Sequence, residues 1–381
     1  MDELAALTEA IDTLVERDPM CLADAETVVA LSAQLARLEA VLCAASAAFD
    51  AGGEWARDGA RNAVAWLTVA TRLPKPLVRR RVSLGRALGE LPVTEAAWRA
   101  GEVAEAHVAA IVRARRDETK EALGRDEAEL VSHARSLRFA DFSRVLSYWS
   151  HHVDPDGAEA DAEAKYRDRD AYLASSFEGM WFGQLRLDPI AGAIVHSELE
   201  AIKEELFSAD WNEARARLGR DPSLTDLRRD GPQRFADAFV VMAMRSASAE
   251  PGARVPRPLF TVLVGEANLA RMCELAQGMA LTPGSTVPWL EWADWERVVF
   301  ESPTRAEVSE KARFFTGANR RHVMVRDRHC THPFCDQPAE ICEVDHIVPY
   351  AAGGLTTLDN GRLLCAFHNR LRNQRPPPPG S

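Results

Sequence analysis

Two short metal-ligand steps restrict the fold of this chain more than anything else in it. Cys330-x4-Cys335 and Cys365-x2-His368 are half-sites separated by 29 residues. Zinc takes four Cys or His ligands in a tetrahedron, and two tight turns at separate points in a chain supply that geometry. Pro333 favours a knuckle within the first step, and the second step suits the first turn of a helix. With all four positions filled no site is left for water, so the implied metal role is structural. Cys342 is a competing ligand, but it stands three residues before Asp345 and reads as part of the same strand.

The other cysteines support metal ligation over a disulfide framework. Four of the seven lie between Cys330 and Cys365, while Cys21, Cys43 and Cys273 are scattered in apolar surroundings and are expected to be buried thiols. The first twenty residues lack a basic start and an apolar core, so no signal peptide is expected. No run of about 18 apolar residues is evident, so neither is a membrane span; a cytoplasmic location follows as an expectation. The net charge of −11 argues against a polyanionic partner only until it is divided along the chain. Residues 304–381 hold 11 Lys and Arg against 8 Asp and Glu, a net of +3, which leaves −14 on residues 1–303. Affinity for phosphate depends on local basic groups, so the C-terminal part is compatible with DNA.

A chain of 381 residues is long enough for two or three domains. The reading is mainly α (α+β): a large helical domain with a few strands over 1–300, a module over 301–375, and a disordered tail at 376–381. A sub-boundary is expected near 155–170. Leu31, Leu35, Leu38 and Leu42 recur at helical steps, and the helix over 60–73 ends before Pro74. The helix over 139–153 is expected to run into a turn at Asp154-Pro155-Asp156-Gly157. Residues 171–187 suggest a hairpin around Glu178-Gly179, helices resume at 189–206 and 232–247, 250–258 reads as a linker, and 259–265 reads as a strand. His151 and His152 read as a helix end rather than metal ligands. Trp181, Trp289, Trp292 and Trp295 read as packing residues rather than base-stacking ones.

Within the clamp lies a second set of residues. ICEVDHIVPY reads as a strand, AAGGLTTLDN as a returning loop, and LLCAFHNRLRNQ as the start of a helix, which together make a zinc-stapled ββα unit. Hydrolysis of a phosphodiester at neutral pH needs a base for the attacking water and a cation for the phosphate. His346 is the natural base, and Asp345 is a hard oxygen ligand suited to Mg2+ or Mn2+. Regular alternation along the strand would point these two neighbours to opposite faces.

The pattern DHIVP, then GG, then DN, then LLC-x2-HN resembles the HNH endonucleases, whose fold is the ββα-metal finger. The resemblance implies that His346 activates water, Asp345 ligates the catalytic cation, and Asn360 braces the loop. Cleavage would leave 5′-phosphate and 3′-hydroxyl ends. The third position of the motif falls on Asn369, where many members have His. A shifted alignment would put His368 there and leave zinc needing another ligand, with Cys342 the first to consider. Arg370, Arg372 and Arg375 are candidates for contacting phosphate. Upstream, WLTVATRL, LGELPVTEAAWRAGEVAEAHVAAIV and LRLDPIAGAIVHSELEAI resemble actinobacterial HNH proteins of the 13E12-repeat type, which carry an N-terminal domain of unknown function 222. The expected activity is a metal-dependent DNA endonuclease with structural Zn2+ and catalytic Mg2+ or Mn2+. The alternative is a zinc-stabilised module that binds nucleic acid or protein without cutting, and a third reading has the acidic N-terminal part mimic DNA. The oligomeric state is open, with a homodimer as one arrangement.

Overall fold

A computed structural model of the chain describes residues 2–249, 259–264, 272–275, 279–286, 289, 294–299, 315 and 317–374. It separates into two compact units, Met1–Pro155 and Asp156–Ser381.

The first unit is helical: α1 (Asp2–Val15), α2 (Ala25–Gly52), α3 (Ala63–Thr71), α4 (Lys75–Leu88), α5 (Pro92–Ala100), α6 (Glu105–Ala114), α7 (Lys120–Ser136) and α8 (Phe139–Val153). Local chemistry sets the boundaries. Asp24 caps α2 by accepting from the Thr27 amide at 2.8 Å, and Asn62 caps α3 through the Ala65 amide at 2.8 Å. Gly53 and Gly101 close α2 and α5 in the left-handed region, at φ of 69° and 77°. Trp98, Phe142, Leu91, Ile111 and Leu123 fill the core. Inside it the Glu127 carboxylate accepts from the Thr94 amide at 2.7 Å, which satisfies a buried group at the start of α5.

Small residues let α2 approach its neighbours closely. It buries Ala36, Ala40 and Cys43, and a Cβ on Gly85 of α4 would lie 2.1 Å from the Cys43 carbonyl oxygen. Contrary to the sequence expectation, α2 is long and apolar enough to cross a membrane by length and composition, a test that the core helix of a soluble protein also passes. Cys43 is buried as expected, but Cys21 is exposed because it sits in the short turn before α2. The side chain of Cys273 lies outside the described residues.

The second unit opens with α9 (Pro155–Arg167), where the sequence reading placed a turn. Proline is tolerated in a first helical turn, so Pro155 starts a new helix after the break at Asp154. An antiparallel hairpin follows, β1 (Asp170–Ser175) with β2 (Trp181–Arg186), and both strands are exposed along their length. Trp181 is 65 % exposed and so is not a core residue. Asp188 caps α10 (Pro189–Leu218), which pairs with α11 (Gly231–Ser248) through Leu199, Ile202 and Ala238. Beside this contact, the buried Asp210 accepts from Arg229 Nε at 3.1 Å.

Strands β3 (Leu259–Val264), β4 (Met272–Leu275), β5 (Ala280–Leu281) and β6 (Asp294–Val299) form a mixed sheet in the order β5-β4-β3-β6, with β3 and β6 parallel. A short α12 (Pro283–Thr286) follows β5, and Trp289 packs beside Ile190 and Leu281. The expected linker at 250–258, Trp292 and the side chain of Trp295 lie outside the described residues. The unit ends with α13 (Gly317–Asp327), the antiparallel pair β7 (Cys342–His346) and β8 (Gly361–Cys365), and α14 (Ala366–Gln374). This last part is the ββα arrangement expected from the sequence.

Candidate metal centre and nuclease site

The metal clamp is built on a short hydrophobic core of Val323, Leu358, Leu363 and Phe315. The first knuckle is held to the rest by backbone bonds: Cys330 N donates to Gln337 O at 2.8 Å, and Thr331 N donates to Leu363 O at 2.8 Å. Asp327 at the end of α13 accepts from the Leu363 amide at 2.9 Å, and Arg326 donates to Leu358 O at 2.7 Å and to Gly361 O at 2.6 Å. These bonds fix β8, which carries Cys365 into the first turn of α14.

Four donor atoms converge as a result. Those of Cys330, Cys335, Cys365 and His368 all lie within 4.8 Å of one another. His368 Nδ1 is 3.3 Å from Cys365 Sγ and 3.5 Å from Cys330 Sγ, and Cys335 Sγ is 3.9 Å from Cys365 Sγ. A tetrahedron with zinc–sulfur bonds of about 2.3 Å has edges of about 3.8 Å, so the set matches zinc in donor type and in spacing. The four residues are therefore positioned to hold a metal, and the Cys3His chemistry points to structural zinc. Cys342 is not among them: its buried thiol donates to Gln337 O at 3.6 Å, and burial pushes it up to about 12. The shifted assignment, with Cys342 replacing His368, is thus not the one the fold adopts.

The loop between β7 and β8 is closed by Asn360. Its Oδ1 accepts from Val348 N at 2.8 Å, and its Nδ2 donates to Val348 O at 3.2 Å and Leu355 O at 2.7 Å. Gly353 takes a left-handed φ of 87°, and a Cβ on Gly354 would lie 1.9 Å from Val348 O, so both glycines are dictated by the fold. The loop ends up under His346. The imidazole is half-buried, stands 4.8 Å from the Phe315 ring centroid, and has Nε2 2.9 Å from the Thr356 hydroxyl. Burial lowers its pKa, which favours the neutral ring that a general base requires. In the tautomer whose Nε2–H donates to the Thr356 hydroxyl, Nδ1 is the nitrogen able to take a proton.

Asp345 pairs with Arg362 across the strands and is also held by Arg372, with Arg362 Nε at 3.5 Å. Arg372 further donates to Ile347 O at 2.5 Å and to His346 O. Arg372, read as a phosphate-contact candidate, thus ties the end of β7 to α14 in the isolated chain. Arg370 lies 5.5 Å over the Trp211 ring of α10, a cation–π contact, and Arg375 lies outside the described residues. Asn369, expected on one cation with Asp345, donates its Nδ2 to Glu343 Oε2 at 2.5 Å. Period-two alternation places Glu343 and Asp345 on the same face of β7, the signal that could have flagged Glu343 in the sequence. Thr356 carried no comparable signal. A cavity of about 640 Å3 between α10 and this part of the module is lined by Glu200, Glu204, Glu340 and Glu343 together with His196 and Arg320.

Comparison with known families agrees with this geometry. The family model described as "Domain of unknown function (DUF222)" matches residues 25–287, more than half of the chain. The chain belongs to the DUF222 family. An HNH endonuclease model matches residues 328–374, the segment that carries the Cys3His set, His346 and Asn360, and so supports a nuclease-like, nucleic-acid-binding function for the end of this DUF222 protein. Similar proteins occur in Mycobacterium tuberculosis, each named only as an uncharacterized protein. MT1183 of strain CDC 1551 / Oshkosh is 26 % identical over 318 residues, covering 77 % of this chain and 68 % of its own. Rv1128c of strain H37Rv is 24 % identical over 338 residues, covering 80 % and 73 %. Rv3776 of the same strain is 44 % identical over a segment of 50 residues, 13 % of this chain and 9 % of its own. No solved structure matches the chain.

Proposed function

We propose that this DUF222 protein is a metal-dependent DNA endonuclease whose C-terminal module cuts phosphodiester bonds with His346 as the general base. The observation that carries the reading is the seating of His346: burial favours the neutral ring, Thr356 holds Nε2 at 2.9 Å, and Nδ1 is left for the proton of an attacking water. Asn360 keeps the loop carrying Thr356 closed beneath that ring. The Cys3His set would hold structural Zn2+, which staples the two ends of the ββα unit.

The fit of a second, hard cation rests on oxygen chemistry. Asp345 already attracts a cationic group in Arg372, and Glu343 lies on the same face of β7 beside the Asn369 amide. Asp345, with Asn369 supplying its amide oxygen, would hold Mg2+ or Mn2+, and such a cation neutralises charge on the phosphate when bound. Asp345 would then give up its contact with Arg372, whose guanidinium would be free to face the phosphate backbone.

A plasmid-nicking assay of the zinc-loaded chain with added Mg2+ or Mn2+ tests the proposal. His346→Ala is expected to lower the rate by about 10²–10⁴-fold with zinc content unchanged. Equal cutting by both proteins refutes the role of His346. DNA binding without cutting under either metal would instead favour the non-catalytic binding module, the reading consistent with Asp345 remaining engaged by Arg372.

A further inference from the structure

An asparagine can serve a cation with one end of its amide only. The two ends are nearly equal in size, but the oxygen offers lone pairs and the nitrogen offers hydrogens. Half a turn about the last side-chain bond exchanges them, and the NH2 group repels the ion that the oxygen would hold. A chain that places Asn369 on a cation therefore needs something to fix which end faces it.

Glu343 has the chemistry for this. Asn369 Nδ2 donates to Glu343 Oε2 at 2.5 Å. An ionised carboxylate accepts hydrogen bonds and has none to give, so it selects the nitrogen end and leaves the oxygen on the opposite side of the amide. The pairing follows from how α14 lies along β7. Asn369 and Arg372 are three residues apart and share a face of α14. Glu343 and Asp345 are two residues apart and share a face of β7. Asn369 meets Glu343 while Arg372 meets Asp345, so the amide and the Asp345 carboxylate are neighbours at one contact between helix and strand. Glu343 is itself exposed, so packing does not require an acid there.

We propose that Glu343 is a positioning residue for the divalent cation, holding the Asn369 amide so that its oxygen and not its nitrogen is presented to the metal. The inference rests on the cation site proposed at Asp345 and adds to it a residue that acts through another. Outer partners of metal ligands are typically worth about 10–100-fold in metal affinity. A direct ligand role for Glu343 is the alternative, and it differs in one consequence. Asn369→Asp offers oxygen at both ends, which makes an orienting partner unnecessary but leaves a ligand as necessary as before.

Mn2+ binding to the zinc-loaded full chain, followed by the electron paramagnetic resonance of the free ion, tests this without any cutting step. The Mn2+ bound by the wild-type chain and lost in Asp345→Ala defines the site. Glu343→Ala is expected to weaken that binding by about tenfold or more. Zinc content should not change, because Glu343 is exposed and outside the Cys3His set. In the Asn369→Asp background the same Glu343→Ala change should not weaken Mn2+ binding, since no amide is left to orient. Wild-type affinity that survives Glu343→Ala overturns the inference. Equal weakening in both backgrounds overturns it as well, and would make Glu343 a ligand or a source of charge. If the wild-type chain and Asp345→Ala bind Mn2+ alike, the cation site at Asp345 falls and the inference with it, whereas a failure confined to the Glu343 variants leaves that site standing.

Discussion

Removing the Asn360 side chain should loosen the loop that supports His346 without unfolding the module. Asn360→Ala deletes three hydrogen bonds, at 2.7, 2.8 and 3.2 Å, that tie Val348 to Leu355 across the turn. Each such bond contributes about 1 kcal/mol net, and because these groups lie near solvent, water replaces part of the loss, leaving about 1.5–3 kcal/mol. That corresponds to roughly a 10–100-fold rise in local opening. Asn360→Asp separates the contributions. The carboxylate still accepts from the Val348 amide, but it loses both donations and sets negative charge against the carbonyls of Val348 and Leu355, so its effect should equal or exceed that of alanine. Amide hydrogen exchange of the metal-loaded chain, read on peptides covering 347–355, measures the opening, and metal analysis checks that the clamp is retained. If both variants exchange like the wild type over this segment, the reasoning that Asn360 holds the loop is refuted.

Two further perturbations probe other links. Cys365→Ser should release the bound metal and unfold the C-terminal module, since structural zinc supplies folding free energy on the order of 10 kcal/mol, whereas Asp345→Ala should keep the metal and lose only divalent-cation-dependent cleavage; elemental analysis beside the nicking assay distinguishes them, and equal metal loss would collapse the separation of roles. Gly85→Ala forces a methyl to within 2.1 Å of the Cys43 carbonyl oxygen, so the first unit should lose about 1–3 kcal/mol or more, visible as a lower melting temperature; an unchanged value would mean that α2 and α4 are not in close contact.

What was legible in the sequence follows the range of the interactions involved. The Cys3His set could be read because knuckle spacing is local and the ligand types are rare, and the ββα order followed from the residues between the two half-sites. Helices such as α2 and α8 were visible in apolar spacing, yet spacing reveals that a stripe exists and not what covers it; Leu31, Leu35 and Leu38 face solvent while Ala36 and Ala40 make the core. The helix α9 was missed because Asp154-Pro155 suits a turn and a helix start equally well. The parallel pairing of β3 with β6 joins Leu259 to Asp294, a long-range match that no local window contains. In the site, Glu343 was within reach of strand alternation, but the bond of Thr356 to His346 depends on how the glycine loop folds back. The engagement of Arg372 by Asp345 depends equally on where α14 docks, so its intramolecular contact could not be read from the sequence.

The metal clamp also imposes an order of events on synthesis. Its first two donors, Cys330 and Cys335, are translated before β7, but Cys365 and His368 follow β8, so the four-donor set is incomplete until both strands of the module have left the ribosome. Domains fold as units as they emerge, and the helices of the first unit are all made before Cys330. The part of the chain that bears His346 therefore completes its four-donor set after the helices of the first unit are made, so a nascent copy holds His346 in a segment whose clamp is not yet assembled.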